Sequence, residues 1–345
     1  MIFEILPVEI IREFFEYLNG FDIYQSFYGL NRRLTAIVLS TMESHIDLRE
    51  VMSNEYIQML HLVNPSHVIS LKLANRWERN QINSVIRIYS IDTFTQVRSL
   101  TFDLLSITNL EEIVDILPSL TSLVSLTITS NENPPSKIYS KLFYRLRHIK
   151  RLRLMSLKGK LACWGNIDIR QWHLDTSYNF RHLQINPLNF SHFSLLFPYL
   201  PHLRSIETSL CFGNAPIPYL PRLRSCILYF GFYGFPELGD FVRQCPNLKI
   251  LKLETTGIDV VDGQQWENIL TRALSRLQHF NLLVEFMGDY DVESCRASFQ
   301  TQFWIQRATQ VNLVESHMHI APDDIRTVYQ MTIDFNYQNQ HQSYN

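Results

Sequence analysis

The sequence has 345 residues, 46% of them hydrophobic, which is enough for a sizeable core in one large domain or in two to three modest ones. Its 31 Lys and Arg residues nearly balance its 33 Asp and Glu residues. This balance argues against a global field that recruits nucleic acid or an acidic membrane surface. The composition therefore predicts a globular protein whose partners are other proteins.

The first residues, MIFEILPVEI, contain neither a basic n-region nor an apolar h-region, and no stretch approaches 18 uninterrupted apolar residues. Five cysteines are scattered without a CxxC pair, which argues against a disulfide framework and a thiolate metal site. We therefore expect a protein of the cytoplasm and/or nucleus, with no membrane span, no cofactor and no bound metal.

The N-terminal segment has the apolar spacing of three short helices. We expect the first to start near Pro7, the second to be capped by Asp22 and ended by Gly29, and the third to start at Asn31. A segment this short cannot build a deep core. We therefore expect something else to cover part of its apolar surface. The first helix carries one apolar stripe, formed by Ile10, Ile11, Phe14, Phe15 and Leu18.

A short phrase then recurs along the chain at steps of 20 to 31 residues, as in VISLKL from Val68 and LVSLTI from Leu123. The fourth residue of each phrase, its anchor, is apolar, and most residues beside the anchors are polar. This alternation predicts short strands with one face in a core and one in solvent. The predicted anchors are Leu71, Leu100, Leu126, Leu152, Leu183, Ile206, Cys226, Leu251, Phe280, Val311 and Met331.

Segments with helical spacing lie between these phrases, as in those beginning at Asn109, Phe235 and Gly263. A unit of strand, loop and helix this short cannot bury its own apolar face. The units must therefore stack on one another.

The repeated phrase resembles the leucine-rich repeat family, whose pattern L-x-x-L-x-L-x-x-N/C is met in full by Leu123, Leu126, Ile128 and Asn131. The other units match this pattern only in part, and in this they resemble the longer, irregular repeats of eukaryotes. The resemblance implies an α/β fold over residues 65–335. In it, an irregular solenoid has a curved parallel sheet, helices on the convex side and a protein-binding concave face.

The N-terminal helices contain an LPxE start and a closing basic and apolar segment, carried by Leu6, Pro7, Glu9, Ile10, Leu18, Asp22, Leu30, Arg32, Arg33 and Leu34. This segment resembles the F-box, the module that attaches substrate receptors to the Skp adaptor of cullin-RING ubiquitin ligases. The two resemblances together imply an F-box over residues 1–45, a connecting helical segment over 46–64, the solenoid over 65–335 and a polar tail over 336–345.

The combined resemblance implies a non-catalytic substrate receptor of a Skp-cullin-F-box ubiquitin ligase, which binds an unknown target protein. The residues expected to bind the Skp adaptor are Leu6, Pro7, Ile10, Phe14 and Leu18. The residues expected to bind the target from the concave face are Asp103, Arg151, Arg153, Glu207, Lys252 and Glu254. Their mixed charges favour a specific protein surface over a nucleic-acid backbone.

Two other functions are consistent with the sequence. One is a repeat scaffold that holds partners together without ubiquitin, its N-terminal helices only capping the solenoid. The other is an enzyme whose site assembles across loops, although no Ser-His-Asp set or nucleophile elbow can be located by motif. The group His317, His319, Asp323 and Asp324 offers ligand types for zinc, but we interpret it as a chance surface group.

Overall fold

The computed structural model describes residues 5–42, 44–51, 53–76, 81–130, 132, 135–159, 177–189, 194–211, 218–230, 235–256, 262–287, 291–307, 309–321 and 324–336. The chain divides into two compact units. The N-terminal unit comprises Met1–Cys163 and Asp168–Phe180, and the C-terminal unit comprises Trp164–Ile167 and Arg181–Asn345. Both units are mixed α/β, and most of their strand pairs are parallel. Among the helices of these described ranges, none is long and apolar enough to cross a membrane.

The N-terminal unit begins with the three predicted helices, α1 (Val8–Phe15), α2 (Gly20–Phe27) and α3 (Arg32–Met42). Gly29 has a φ of 80° just after α2, and the Asn31 side chain accepts a 2.8 Å hydrogen bond from the Leu34 amide at the start of α3, as predicted. The predicted cap of α2 was wrong. Asn19 caps this helix, accepting from the Asp22 amide at 2.8 Å. Asp22 lies in the first turn of α2, where its carboxylate interacts favourably with the positive end of the helix dipole.

Five parallel strands follow in chain order across the N-terminal unit: β1 (His45–Asp47), β2 (Ser70–Ala74), β3 (Ser99–Asp103), β4 (Ser125–Thr129) and β5 (Leu154–Lys158). The predicted anchors Leu71, Leu100 and Leu126 pair directly with one another and are at most 1% exposed. The strand β1 starts before the predicted repeat region, so the sheet is one strand longer at this end than the phrase indicated.

Four helices alternate with these strands: α4 (Ser53–Leu60), α5 (Gln81–Ile88), α6 (Ile107–Ile116) and α7 (Ser136–Leu146). Single turns of 3-10 helix occupy Pro65–His67, Ile91–Thr93 and Leu117–Ser119. The predicted helical segment after Asn109 is thus confirmed, with Ser106 capping it. Asn131, which completes the one full repeat match, lies outside the described residues.

The predicted anchor Leu152 was wrong by three residues. The strand β5 begins at Leu154, and Met155 rather than Leu152 pairs with Leu126. Leu152 occupies the turn before its strand, as Leu123 does in the preceding unit. Apolar residues three apart fit the repeated phrase in either position, and only the pairing with the neighbouring strand distinguishes them.

The C-terminal unit continues with five parallel strands, β6 (His182–Asn189), β7 (Ser205–Cys211), β8 (Ser225–Phe230), β9 (Ile250–Thr255) and β10 (His279–Met287). All five predicted anchors pair in one register and are at most 2% exposed: Leu183, Ile206, Cys226, Leu251 and Phe280. The helices of this unit with both ends in the described ranges are α8 (Phe235–Arg243), α9 (Gly263–Ala273), α10 (Val292–Ser298) and α11 (Gln302–Gln306). A 3-10 turn lies at Phe197–Tyr199.

The last two predicted parallel units, at Val311 and Met331, were wrong. The strands β11 (Gln310–Ala321) and β12 (Asp324–Asn336) form an antiparallel pair, and β12 also pairs antiparallel with β10. Only two residues separate these strands, whereas a parallel connection needs about a dozen residues or more. The predicted tail begins at the last residue of β12, and the rest of it lies outside the described residues.

Aromatic side chains fill the core where α9 and α11 pack against the last strands. The ring of Phe280 lies 5.0 Å from that of Trp266, 5.6 Å from that of Phe335 and 6.1 Å from that of Trp304. The Trp304 indole donates a 3.2 Å hydrogen bond to the carbonyl oxygen of Gly263. Large buried rings with a satisfied polar group contribute heavily to core stability.

Candidate protein-binding surfaces

The helix α1 has one buried and one exposed apolar side. The Ile11 and Phe15 side chains are 0% and 1% exposed, and the Phe15 ring lies 5.0 Å from that of Phe27 on α2. Ile10 and Phe14, four residues apart and therefore on one helix face, are 45% and 48% exposed. The single apolar stripe expected from the sequence is thus divided between the core and the surface.

We define the head patch as the residues predicted to bind the adaptor, Leu6, Pro7, Ile10, Phe14 and Leu18, together with Tyr17. Pro7 is exposed, as are Ile10 and Phe14, while Leu6 and Leu18 are half-buried. Tyr17, which the sequence interpretation missed, is 88% exposed and stands three residues after Phe14 and seven after Ile10. This spacing continues the helical pattern of Ile10 and Phe14 and was the signal that would have found it, although Tyr17 itself lies in the turn after α1.

One hydrogen bond positions the start of the head patch, and a cavity lies beside its end. Arg33 on α3 donates from Nη2 to the backbone oxygen of Leu6 at 2.5 Å, which holds the chain just before α1. Leu18 lines a cavity of about 540 Å³ whose wall also includes Asp47 on β1 and Lys72 on β2. The hydrogen bond from Arg33 on α3 therefore fixes the chain that leads into α1, and with it the exposed side of this helix.

Asp103, predicted as an exposed target-binding residue, has a side chain only 13% exposed. Its carboxylate is 2.9 Å from Nη2 of Arg76 and accepts a hydrogen bond from the Thr129 hydroxyl. Arg76 also pairs with Glu50 at 2.6 Å. Asp103 is therefore held in a network at the carboxyl end of β3, and the expectation that it is exposed was wrong.

Arg151 and Arg153 were expected to flank an anchor within a strand, and this placement was also wrong. Because β5 begins at Leu154, Arg151 lies in the preceding turn and Arg153 directly before the strand. The Arg153 guanidinium donates to the backbone oxygens of Lys150 and Asn179, both at 3.3 Å. Neither arginine stands on the outward face of the sheet.

The C-terminal unit does bring the other three predicted residues to one face. Glu207 on β7 and Lys252 on β9 both pair with Ile227 of the strand between them, so they lie in one row across the sheet. Glu254 lies two residues beyond Lys252 on the same face of β9. We call the outward residues of β6 to β10 the strand face.

The charges on the strand face influence one another. Partial burial, followed by the charge of Glu285, raises the pKa of the Glu254 carboxyl. Burial and then the charges of Glu207 and Glu254 raise the pKa of the Tyr229 hydroxyl. Gln184 on β6 also donates a hydrogen bond to Glu207. A cationic group of a partner would relieve the repulsion between Glu254 and Glu285.

The sequence interpretation also missed a row of basic residues in the C-terminal unit. Arg181, Arg204, Arg224 and Lys249 each stand immediately before a strand. The signal was present in the repeated phrase, whose second residue is basic in these four consecutive units. All four residues line one cavity.

Within the described ranges, no group of three or more His, Cys, Asp or Glu residues has the arrangement needed to hold a metal ion. The His317 and His319 backbones lie in β11, and Asp323 is outside the described residues.

Neither a protein-family model nor a curated protein sequence matches this chain.

Proposed function

We propose that this chain is a non-catalytic substrate receptor of a Skp-cullin-F-box ubiquitin ligase, acting in the cytoplasm and/or nucleus. In this proposal α1 to α3 form an F-box and the strands that follow form an irregular leucine-rich-repeat solenoid. The head patch binds the Skp adaptor, and the repeat surface binds the target protein. The single observation that carries the proposal is the exposed apolar side of α1, with Ile10 and Phe14 each nearly half exposed above a buried side.

Apolar burial supplies the driving force for adaptor binding. Fully covering an exposed Ile or Phe side chain contributes about 1.5–3 kcal/mol, so the remaining exposed area of Ile10 and Phe14 accounts for part of that range at each position. Tyr17 is almost entirely exposed and offers a larger area, together with a hydroxyl for the rim of an interface. Exposed charge pairs contribute less, typically under about 1 kcal/mol.

The receptor would contribute position and choice of target, while other subunits supply the chemistry. Holding a target lysine near a loaded ubiquitin-conjugating enzyme converts a bimolecular encounter into a local search at high effective concentration. The strand face supports the recognition half of this role, because Glu207, Lys252 and Glu254 present both signs of charge on one surface. Mixed charge gives specificity for one protein surface over others.

The test is co-expression with a Skp adaptor followed by size-exclusion chromatography. The wild-type chain should co-elute with the adaptor, and the double variant Ile10→Asp, Phe14→Asp should not. The matched control is Ile305→Asp, which places the same charge at a 69% exposed isoleucine on α11 and should leave co-elution unchanged. A folded wild-type chain that elutes without the adaptor would overturn the proposal.

One observation favours the second candidate, a scaffold whose N-terminal helices only cap the sheet. Both α2 and α3 contact β1, the edge strand of the N-terminal unit, and Ile23 and Ile46 are each 2% exposed there. Terminal units of stacked repeats require such shielding. Limited proteolysis separates the candidates: a pure cap should protect α1 in the isolated chain as well as the strands, whereas an unoccupied docking helix should be cut there first and be protected by the adaptor.

A further inference from the structure

The row of basic residues in the C-terminal unit is set by the backbone. The amides of Arg204, Arg224 and Lys249 each donate to the carbonyl oxygen of the row residue before it, at 2.8 Å in all three cases. The first acceptor in this ladder is Arg181. Because neighbouring strands lie about 4.8 Å apart, four cationic side chains start from the sheet at roughly that interval.

These four side chains line a cavity of about 350 Å³, which we call the basic cavity. Its other lining residues are His202, Pro221, Arg222, Asn247 and Arg276, so no carboxylate contributes to its wall. Among the described carboxylates, none forms an ion pair with Arg181, Arg204, Arg224 or Lys249. The cavity therefore concentrates positive charge that the described part of the chain does not neutralise.

Two further arginines are already oriented at this cavity. Arg222 donates from Nη1 to the backbone oxygen of Pro201 at 2.9 Å and lies 3.1 Å from Nδ1 of His202. Arg276 donates from Nη1 to Oδ1 of Asn247 at 2.7 Å. Side chains held in this way lose less conformational entropy when a ligand binds.

An anion with several acceptor oxygens suits this arrangement. Like charges a few ångströms apart repel one another, and a bound dianion would turn that repulsion into attraction. Guanidinium groups present paired N–H donors that match phosphate oxygens, and clusters of arginine are a recurrent way of binding phosphorylated side chains. If these side chains had only a structural role, neutral residues would fill it without the repulsion between neighbouring cations.

A second cavity lies beside the basic cavity. It has a volume of about 650 Å³ and shares Lys249 and Arg276 with the basic cavity. Its wall includes the apolar side chains of Leu270, Leu274, Leu277 and Phe335. Two neighbouring cavities with shared lining residues, one basic and one partly apolar, exceed what a single compact anion needs and suit an extended chain.

We propose that these two cavities bind an extended peptide segment with a phosphorylated side chain in the basic cavity and an apolar side chain in the neighbouring one. This deepens the proposed function, since the peptide would belong to the target protein, and it rests on that function only for the source of the peptide. The overall charge of −2 and the apolar wall favour a peptide over a nucleic acid.

The test is a fluorescence anisotropy titration of the full chain with a labelled degenerate peptide pool that carries one fixed central phosphoserine. The phosphoserine pool should bind at least tenfold more tightly than the same pool with serine. The double variant Arg204→Glu, Arg224→Glu should lose at least tenfold in affinity. The double variant Arg204→Lys, Arg224→Lys, which keeps the charge but not the paired donors, should lose only a few-fold.

The matched control is Arg98→Glu. Arg98 holds the same position before β3 that the row residues hold before their strands, but its neighbours in the ladder are Ile69 and Val124. It is exposed and lies in the N-terminal unit, so its replacement should leave peptide binding unchanged. A loss with Arg98→Glu equal to that of the double reversal would show non-specific charge attraction and overturn the proposal.

Three further results would overturn it: equal binding of the serine and phosphoserine pools, unchanged binding by a folded double-reversal variant, or tighter binding of inorganic tripolyphosphate than of the phosphopeptide pool. The last would identify a compact-anion site. The head variant Ile10→Asp, Phe14→Asp should bind the phosphopeptide pool as the wild type does. Loss of adaptor binding and loss of peptide binding are therefore read out separately.

Discussion

Ile10 and Ile11 are neighbours on α1, yet the side chain of Ile11 is completely buried and that of Ile10 is 45% exposed. We expect Ile11→Ala to lower the free energy of unfolding of the head helices by about 2–5 kcal/mol, because it leaves a cavity in their core. Ile10→Ala should cost less than about 1 kcal/mol, because much of its surface already faces solvent. Hydrogen exchange of the α1 to α3 amides measures both; equal losses would contradict the assignment of the two faces.

Asp47, the last residue of β1, forms a charge cluster with Arg49 and Lys72, and this cluster predicts that stability depends on pH. Asp47 Oδ2 lies 2.8 Å from Nη2 of Arg49 and 3.2 Å from Nζ of Lys72. Burial raises the pKa of the Asp47 carboxyl, but hydrogen bonds from Arg49 and the charges of Arg49 and Lys72 lower it by more, so the pKa ends below its ordinary value of 3.8. The ionised carboxyl therefore adds stability above the ordinary pKa.

The stability that the ionised Asp47 carboxyl contributes is lost as the pH falls below 3.8 and then passes through the lower pKa of this carboxyl in the folded state. Thermal unfolding followed from pH 7 down to about pH 2 should show a smaller acid-dependent loss in Asp47→Asn than in the wild type. The variant Arg49→Gln should remove much of the same pH-dependent part, since Arg49 supplies the main stabilising contacts. Identical acid profiles for all three proteins would rule out this origin.

The fold of the C-terminal unit was predictable where burial alternates strictly along the strands. The anchors from Leu183 to Phe280 pair in one register because each buries its side chain on the same face. Leu152 and Met155 could not be told apart in this way, since both are buried and stand three residues apart. Only the pairing of Met155 with Leu126 fixes the strand, and that is a tertiary property.

The candidate sites were predictable only in part for the same reason. The sequence defined the apolar residues of α1, but the packing of α2 and α3 decides that Phe15 is buried and Phe14 exposed. Asp103 alternates like an exposed strand residue, and its partners Arg76 and Thr129, both distant in sequence, cover it. Arg204 and Arg224 carried a signal in the repeated phrase that makes sense only once the strands are stacked.

The three cysteines whose side chains the structure describes should differ in reactivity. Cys226 and Cys245 are completely buried, and burial raises the pKa of both thiols, with the charge of Cys245 adding to the effect on Cys226. Cys295 on α10 is half-buried, and partial burial and then Asp291 raise its pKa as well. In a Cys163→Ser, Cys211→Ser background, mass spectrometry after native labelling with a thiol reagent should find Cys295 modified first.

Denaturant should equalise these reactivities, because it exposes all three thiols. Labelling of Cys226 or Cys245 at the rate of Cys295 in the native protein would contradict the complete burial of these two thiols. The variant Cys295→Ser provides the control, since it should abolish the fast labelling and leave the slow phase unchanged.

Gly263 begins α9 where a side chain has no room. A Cβ at this position would lie 2.2 Å from the backbone oxygen of Ser298 and 2.9 Å from the amide nitrogen of Phe299. Both atoms belong to the backbone, so a segment of chain must move for Gly263→Ala to fold, and the Trp304 hydrogen bond to the Gly263 carbonyl is strained with it. We expect a loss of about 1–3 kcal/mol in the free energy of unfolding of the C-terminal unit.

The matched control for this effect is Gly239→Ala in α8. A Cβ there would meet the end of the Ile269 side chain at 3.3 Å, which a small rotation relieves, and alanine favours the helix by about 1 kcal/mol over glycine. Urea unfolding followed by tryptophan fluorescence should therefore shift to lower urea for Gly263→Ala and stay level or rise for Gly239→Ala. Equal shifts would mean that helix propensity, rather than the close approach of Ser298 to Gly263, decides the outcome.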